Sequence, residues 1–203
     1  MKSLIRIGIL LSGSGTTLQN LLDREVARVA CVVSSRADAF GVERARRAGI
    51  PTTIVERKAF GDRETFTAAT LGPCREAGVN LICMAGYLQL LTIPGDFAGR
   101  ILNIHPSLLP SFGGKGMHGL NVHKAVLEAG VKLSGCTVHF ADNEYDRGPI
   151  VVQKAVAVSE EDTPETLQAR VFAAECEAYP EAIELFASGR LHIEGRRVRV
   201  ARV

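Results

Sequence analysis

Short, nearly continuous apolar runs recur through the first half of the chain, and longer segments with a helical apolar period separate most of them. The runs are "LIRIGILL" (4–11), "VARVACVVS" (26–34), "TTIVE" (52–56), "NLICMAG" (80–86) and "RILNIH" (100–105). Between them lie "TTLQNLLDREV" (16–26), "AFGVERARRAG" (39–49) and "DRETFTAATLGPCREAG" (62–78). A strand that is apolar on both faces must be covered on both faces, which parallel sheets achieve through their crossover helices. The expected fold class is therefore α/β: an open, mostly parallel twisted sheet with helices on both faces. Pro73 lies inside the third helical segment and predicts a kink or break there.

Beyond Leu120 the pattern changes. "NVHKAVLEAG" (121–130) reads as a short helix, and "SGCTVHFAD" (134–142) and "PIVVQKAVAVS" (149–159) follow with only a short turn region between them. That spacing suits an antiparallel addition to the sheet in the C-terminal half. Thr163 is a good N-cap with Pro164 at the first helical position, so a helix should start there and end at Gly189. Pro180 should kink it. The tail "LHIEGRRVRVARV" suggests a small hairpin around Glu194-Gly195. With no repeat, low-complexity stretch or linker, residues 1–203 read as a single domain long enough to bury a real core. Its halves divide near 100/101.

Charge and composition exclude several classes. A net charge of +2 supplies no strong pull toward nucleic acid. No run reaches the roughly 18 apolar residues of a membrane span. The first apolar run leads into a glycine loop and a helix, not a small-residue cleavage site, so it reads as a core strand of a cytoplasmic protein. The five cysteines, Cys31, Cys74, Cys83, Cys136 and Cys176, are scattered without a CxxC pair. They suit packing better than a metal site or a disulfide framework.

Three features could carry chemistry. In "LLSGSGTTLQNL" a strand runs into Gly13-Ser14-Gly15 and then into a helix near Thr16. Backbone N–H groups exposed there form an anion cradle; the plainer reading is a tight turn between strand and helix. Leu18 stands where a dinucleotide fingerprint needs glycine, and no Gly-Lys-Ser/Thr follows, so a Walker loop is also excluded. In "ILNIHPSLLP" Asn103 and His105 share one strand face, and Pro106 ends the strand. Ligands of open α/β sheets bind beyond the carboxyl ends of the strands, where both features belong. In "VHFADNEYDRGPIVVQ" His139 precedes a turn with Asp142, Glu144 and Asp146. A carboxylate set beside His105 would favour its charged form, but spacing leaves open which of the three reaches it. His118, His123 and His192 have surface-like contexts and no assigned role.

Together "SGSGTTLQNL", "AGYLQLLT", "ILNIHPSLLPSF", "GCTVHF" and "DRGPIVVQ" resemble the phosphoribosylglycinamide formyltransferase (GAR transformylase) family, folate-dependent enzymes of purine synthesis. The resemblance runs from Ile5 to about Leu191 and implies the Rossmann-like formyltransferase fold. It implies a catalytic trio of Asn103, His105 and Asp146, with His139 in support. It assigns Gly13, Ser14, Gly15, Thr16, Thr17 and Glu175 to the phosphoribosylglycinamide (GAR) substrate. The folate side falls to Arg63, Leu88, Gln89, Leu90, Leu91, Asn103, Asp142, Asn143, Glu144 and Tyr145.

The implied reaction moves a formyl group from 10-formyltetrahydrofolate, a co-substrate, to the glycinamide amine. Asn103 and a protonated His105 would hold the oxyanion, with Asp146 keeping His105 cationic, and no metal is needed. Partners would be these two small molecules, with no nucleic acid and no membrane; a homodimer is admissible. The 1–100 half would bind phosphate and substrate, and the 101–203 half would carry catalysis and folate binding. Departures from the family are Thr17 and Gln89, where Asn and a basic residue are common, and a longer loop carrying Lys115 and His118. Its glycines (Gly113–Gly119) make that loop the candidate for movement. Alternatives are a 10-formyltetrahydrofolate hydrolase, a methionyl-tRNA formyltransferase, for which the chain lacks a basic C-terminal domain, and a non-catalytic phosphometabolite-binding module.

Overall fold

The computed structural model describes residues 5–202. Leu4, the expected start of the first strand, lies outside the described residues. Nine strands and five α-helices follow in chain order among them: β1 (Arg6–Leu11), α1 (Thr16–Arg24), β2 (Arg28–Ser34), α2 (Phe40–Arg47), β3 (Thr52–Ile54), α3 (Arg63–Glu76) and β4 (Leu81–Met84) come first. Next are β5 (Ile101–His105), α4 (Leu120–Glu128), β6 (Leu133–Phe140), β7 (Ile150–Ala157), α5 (Pro164–Ala187), β8 (Leu191–Glu194) and β9 (Arg197–Val200). Seven strands form one sheet in the order β3-β2-β1-β4-β5-β6-β7, and β8 and β9 pair separately. The chain divides into two compact units, one ending at Leu102 and the other beginning at Asn103.

In the first unit β1 pairs in parallel with both β2 and β4, and β2 with β3. Ile7, Ile9, Leu10 and Leu11 of β1 are fully buried, as continuous apolar strands require; each contributes roughly 1.5–3 kcal/mol by leaving water. The order steps outward from β1 to β2 and β3, then returns past β1 to β4. With right-handed crossovers, α1 and α2 cover one face and α3 the other. Asp62 caps α3 by accepting from the Thr65 N–H at 2.7 Å. Pro73 does not break α3, which continues to Glu76. It sits in the last turn, where its missing N–H costs a single ladder bond.

In the second unit β6 and β7 are antiparallel along their length, with a register shift between Val138 and His139. The 24-residue α5 packs on both strands. Its start has the expected Thr163 cap and Pro164, and Thr163 and Thr166 bond each other's backbone. Pro180 lies buried within α5, which runs through it uninterrupted; packing of the ring offsets the lost bond. Arg197 pairs with Glu194 across the expected hairpin. His123 corrects the expectation of a surface histidine. It is 1% exposed on the inner side of α4, beside Val122 and Val126. Its Nδ1 has no hydrogen-bond partner.

Candidate active site

In the first unit the carboxyl end of β1 feeds Ser12–Gly15, where the strand order reverses between β2 and β4. Crevices for ligands open at such a switch point. Gly15 is the N-cap of α1 in a left-handed conformation (φ 70°), and it contributes no side-chain cap. The first intrahelical bond runs from Gln19 N–H to Gly15 O at 3.0 Å. The N–H groups before Gln19 therefore form an uncapped, partly positive helix start. Only glycine fits at position 15: besides its φ, a Cβ there would lie 2.5 Å from Gly41 Cα. Gly13, Ser14 and Thr16 are exposed and Thr17 is half-buried.

Two residues that sequence reasoning passed over hold this turn. Arg44 donates from Nε to Ser14 O at 3.0 Å and from Nη1 to Gln19 Oε1 at 3.1 Å. The buried Ser12 hydroxyl meets Ser35 Oγ at 2.6 Å and accepts from the Leu88 N–H at 3.0 Å. Ser12 thereby ties the turn to the segment expected to line the folate. There Leu88 is exposed, Gln89 and Leu90 are half-buried and Leu91 is in the core. Arg63 is half-buried as the first residue of α3.

In the second unit the polar residues of β5, β6 and the turn after β6 converge. Asp146 Oδ2 lies 3.5 Å from His105 Nδ1. Its Oδ1 lies 3.4 Å from Asn103 Nδ2 and 3.7 Å from His139 Nε2. Asn103 Nδ2 is also 3.0 Å from His139 Nε2. Asp146 is thus the carboxylate that reaches His105. Asp142 instead accepts from the Glu144 N–H at 3.0 Å, and Glu144 pairs with Arg147 at 3.2 Å. Asn143 and Glu144 are exposed, and Asp142 and Tyr145 half-buried. Asp146 sits in the left-handed region (φ 57°).

The loop after β5 supplies backbone groups that side-chain motifs could not indicate. His105 Nε2 lies 2.9 Å from Phe112 O, and Gly114 N–H donates to Asp146 Oδ2 at 2.8 Å. A carbonyl only accepts, so His105 Nε2 carries hydrogen and Nδ1 faces Asp146. The loop is pinned to β6 by Thr137, whose hydroxyl donates to Ser107 O at 2.7 Å and accepts from the Leu109 N–H at 3.0 Å.

His105, 4% exposed, was expected to be held cationic. Burial instead pushes its pKa below the ordinary value, outweighing the opposing Asp146 charge and the Phe112 bond. Burial would raise Asp146, but the two imidazoles turned toward it and the Gly114 N–H together bring it below the usual carboxylate value. Both shifts favour a carboxylate at Asp146 and an uncharged ring at His105, with Nδ1 turned to the carboxylate. Glu175, on α5, is pushed up to about 7 by burial. Among the described residues no three or more His, Cys, Asp or Glu side chains are grouped to hold a metal ion. No described helix is long and apolar enough to cross a membrane.

Residues 5–183 match the formyl transferase family. The trifunctional purine biosynthetic protein adenosine-3 of Gallus gallus is 44% identical over 93% of the chain, which spans only 19% of that protein. The phosphoribosylglycinamide formyltransferase of Haemophilus influenzae is 40% identical over 93% of the chain and 90% of its own length. Among solved structures, glycinamide ribonucleotide transformylase 1 from Symbiobacterium toebii superposes with a TM-score of 0.89 at 50% identity, covering 100% of this chain and 96% of its own.

Proposed function

The chain belongs to the formyl transferase family, and on that footing we propose that it transfers a formyl group from 10-formyltetrahydrofolate to the amine of phosphoribosylglycinamide, as an enzyme of purine biosynthesis. The observation that carries this is the buried cluster of Asn103, His105 and Asp146. An ionised carboxylate, a neutral imidazole with a free nitrogen and an amide donor are the groups that formyl transfer to an amine requires.

The glycinamide nitrogen attacks the formyl carbon, forming a C–N bond and leaving a negative formyl oxygen and a positive nitrogen. Asn103 directs an N–H at that oxygen; its long 3.4 Å contact with Asp146 is the bond exchanged for it. Removing one such aimed donor typically costs roughly 10²–10³ in rate. The proton from the attacking nitrogen passes to His105 Nδ1, while Nε2–H stays on the Phe112 carbonyl. The imidazolium then stands against Asp146, donates to the oxyanion and delivers the proton to the folate nitrogen as its bond to the formyl carbon breaks. Formyl-GAR and tetrahydrofolate leave, and His105 is neutral again.

The uncapped start of α1, Gly13 to Thr17, is proposed to hold the substrate phosphate, and Glu175 its ribose and glycinamide end. Arg63, Leu88 to Leu91 and Asp142 to Tyr145 are assigned to the folate. The first half is proposed as the phosphate- and substrate-binding part, with Arg63 and Leu88 to Leu91 its share of the folate contacts, and the second as the catalytic and folate-binding part, with Glu175 its share of the substrate contacts. None of the five cysteines is in a disulfide, which favours a reducing cytoplasmic setting.

The test is absorbance of 10-formyl-5,8-dideazafolate with and without glycinamide ribonucleotide, using the wild type and His105→Ala. Amine-dependent deformylation that falls by orders of magnitude in the variant is expected. Deformylation indifferent to the amine would mean a hydrolase, and none at all a binding module.

A further inference from the structure

We propose that His139 is a positioning residue that fixes which end of the Asn103 amide faces the reacting oxygen, through a one-way hydrogen-bond chain anchored on its own neighbour's carbonyl. This rests on the formyl-transfer reading for its consequence in rate, but not for its geometry.

The chain has a single polarity. Phe140 O lies 2.8 Å from His139 Nδ1, and a carbonyl can only accept, so Nδ1 carries the hydrogen. Asp146 Oδ1 lies 3.7 Å from Nε2, beyond hydrogen-bond reach, so no acceptor calls for a second N–H and Nε2 is left as a bare lone pair. The Asn103 atom 3.0 Å from Nε2 must then be the amino nitrogen, since an amide oxygen would set lone pair against lone pair. Asp146 Oδ1, 3.4 Å from the same nitrogen, is a second acceptor that favours this orientation, at a length where hydrogen bonds are weak. The shorter bond, to His139, sets it. An oxyanion needs the N–H end of this amide; the reversed amide would offer it an oxygen.

The anchor is built into the backbone. The β6–β7 register shifts between Val138 and His139, where the ring must reach the next residue's carbonyl. The ring is 2% exposed, so water does not compete for either nitrogen. Gly148 packs directly over the bond: a Cβ there would fall 1.8 Å from Phe140 O and 3.4 Å from His139 Nδ1. Any side chain at 148 would displace the carbonyl that holds the ring.

The first measurement needs no turnover. In the substrate-free wild type labelled with ¹⁵N-histidine, a long-range ¹H–¹⁵N spectrum at neutral pH, with the His139 signals assigned by their loss in His139→Gln, should show hydrogen on Nδ1 alone. This is the minority tautomer of a free imidazole. Hydrogen on Nε2 alone, or on both nitrogens, overturns the proposal. The second measurement is kinetic. His139→Phe removes the acceptor, whereas the side-chain oxygen of His139→Gln can replace Nε2. Because a misaimed donor loses part of the roughly 10²–10³ an aimed one supplies, kcat should fall about 10- to 100-fold in His139→Phe, with KM for both substrates within about threefold. His139→Gln should recover most of the loss. Full activity in His139→Phe, or equal losses in both variants, overturns the proposal. Should His139→Phe fail to fold, the tautomer decides. Absence of formyl transfer in the wild type would sink the functional reading while leaving the tautomer result to stand by itself.

Discussion

Replacing Asp146 by Asn changes one atom and two electrostatic relations. The retained oxygen must go on accepting from the Gly114 N–H at 2.8 Å, which puts the new amino group where Oδ1 was. That group then lies 3.4 Å from Asn103 Nδ2, so a donor faces a donor. The charge opposite His105 is also lost. Two unit charges 3.5 Å apart attract by about 5 kcal/mol at an effective dielectric constant of about 20. The reaction as proposed charges His105 only after the amine attacks, so this attraction acts on the transition state more than on the bound substrates. At 1.36 kcal/mol for each factor of ten, the expected fall in kcat is about 10³-fold, with KM little changed. The assay is steady-state deformylation of the dideazafolate at saturating amine, with circular dichroism and a thermal melt to establish that the variant is folded. A folded Asp146→Asn enzyme within tenfold of wild-type kcat would refute the role given to the carboxylate.

Gly15→Ala would place a methyl group 2.5 Å from Gly41 Cα and strain a φ of 70°. A rise in KM for the phosphorylated amine of at least about tenfold, with KM for the folate unchanged, is expected from distorting the proposed phosphate turn; an unchanged KM would remove the turn from the substrate site. His123→Leu should raise stability by about 1 kcal/mol, because it removes a buried nitrogen without a partner. A melt should rise by about 2–4 °C. Burial also lowers the His123 pKa from its ordinary 6.5. The unfolded chain therefore takes up the proton first as pH falls. The stability tied to neutral His123 is full above about 6.5 and declines as pH drops through that value toward the folded pKa. Glu175, raised to about 7, acts with the opposite sign in that range, so the comparison is wild type against variant. Urea midpoints should diverge further at about pH 5.5 than at about pH 7.5, and parallel profiles would contradict the buried, neutral assignment.

The elements were legible because their signals are local. Continuous apolar runs gave the parallel strands, and Thr163-Pro164 marked the start of α5. Asn103 and His105 were legible as a pair because strand alternation puts them on one face. What the residues alone left open was set by contacts distant in sequence. Asp142, Glu144 and Asp146 are equivalent candidates until the turn's own bonds engage the first two. Burial of His105 reverses the expected direction of its pKa, and burial has no signature in a two-residue motif. Pro73 and Pro180 carry a local helix-breaking signal that the tertiary setting overrides. His123 carries the opposite error: a polar residue between two valines on a helix looks like an edge of the apolar stripe, yet packing covers it. Ser12 and Arg44 were passed over because their bonds support backbone rather than meet any motif.

The left-handed backbone at Asp146 has a consequence for how this position can vary. Two requirements of different kind meet there: the turn needs a residue that tolerates φ 57°, and the cluster needs a carboxylate. Gly, Asn and Asp meet the first at little cost; Asp and Glu meet the second. Aspartate meets both at the least cost; glutamate can hold such a φ, as Glu25 does at 51°, but with a strain of roughly 1–2 kcal/mol. Among neighbouring substitutions, those that keep the charge disturb the turn and those that keep the turn discard the charge. Exchange of Asp for Glu, ordinarily among the mildest of changes, is therefore costly at this position. Recovering activity from Glu would call for an adjusted loop between β6 and β7, and from Asn or Gly for a carboxylate supplied from another position.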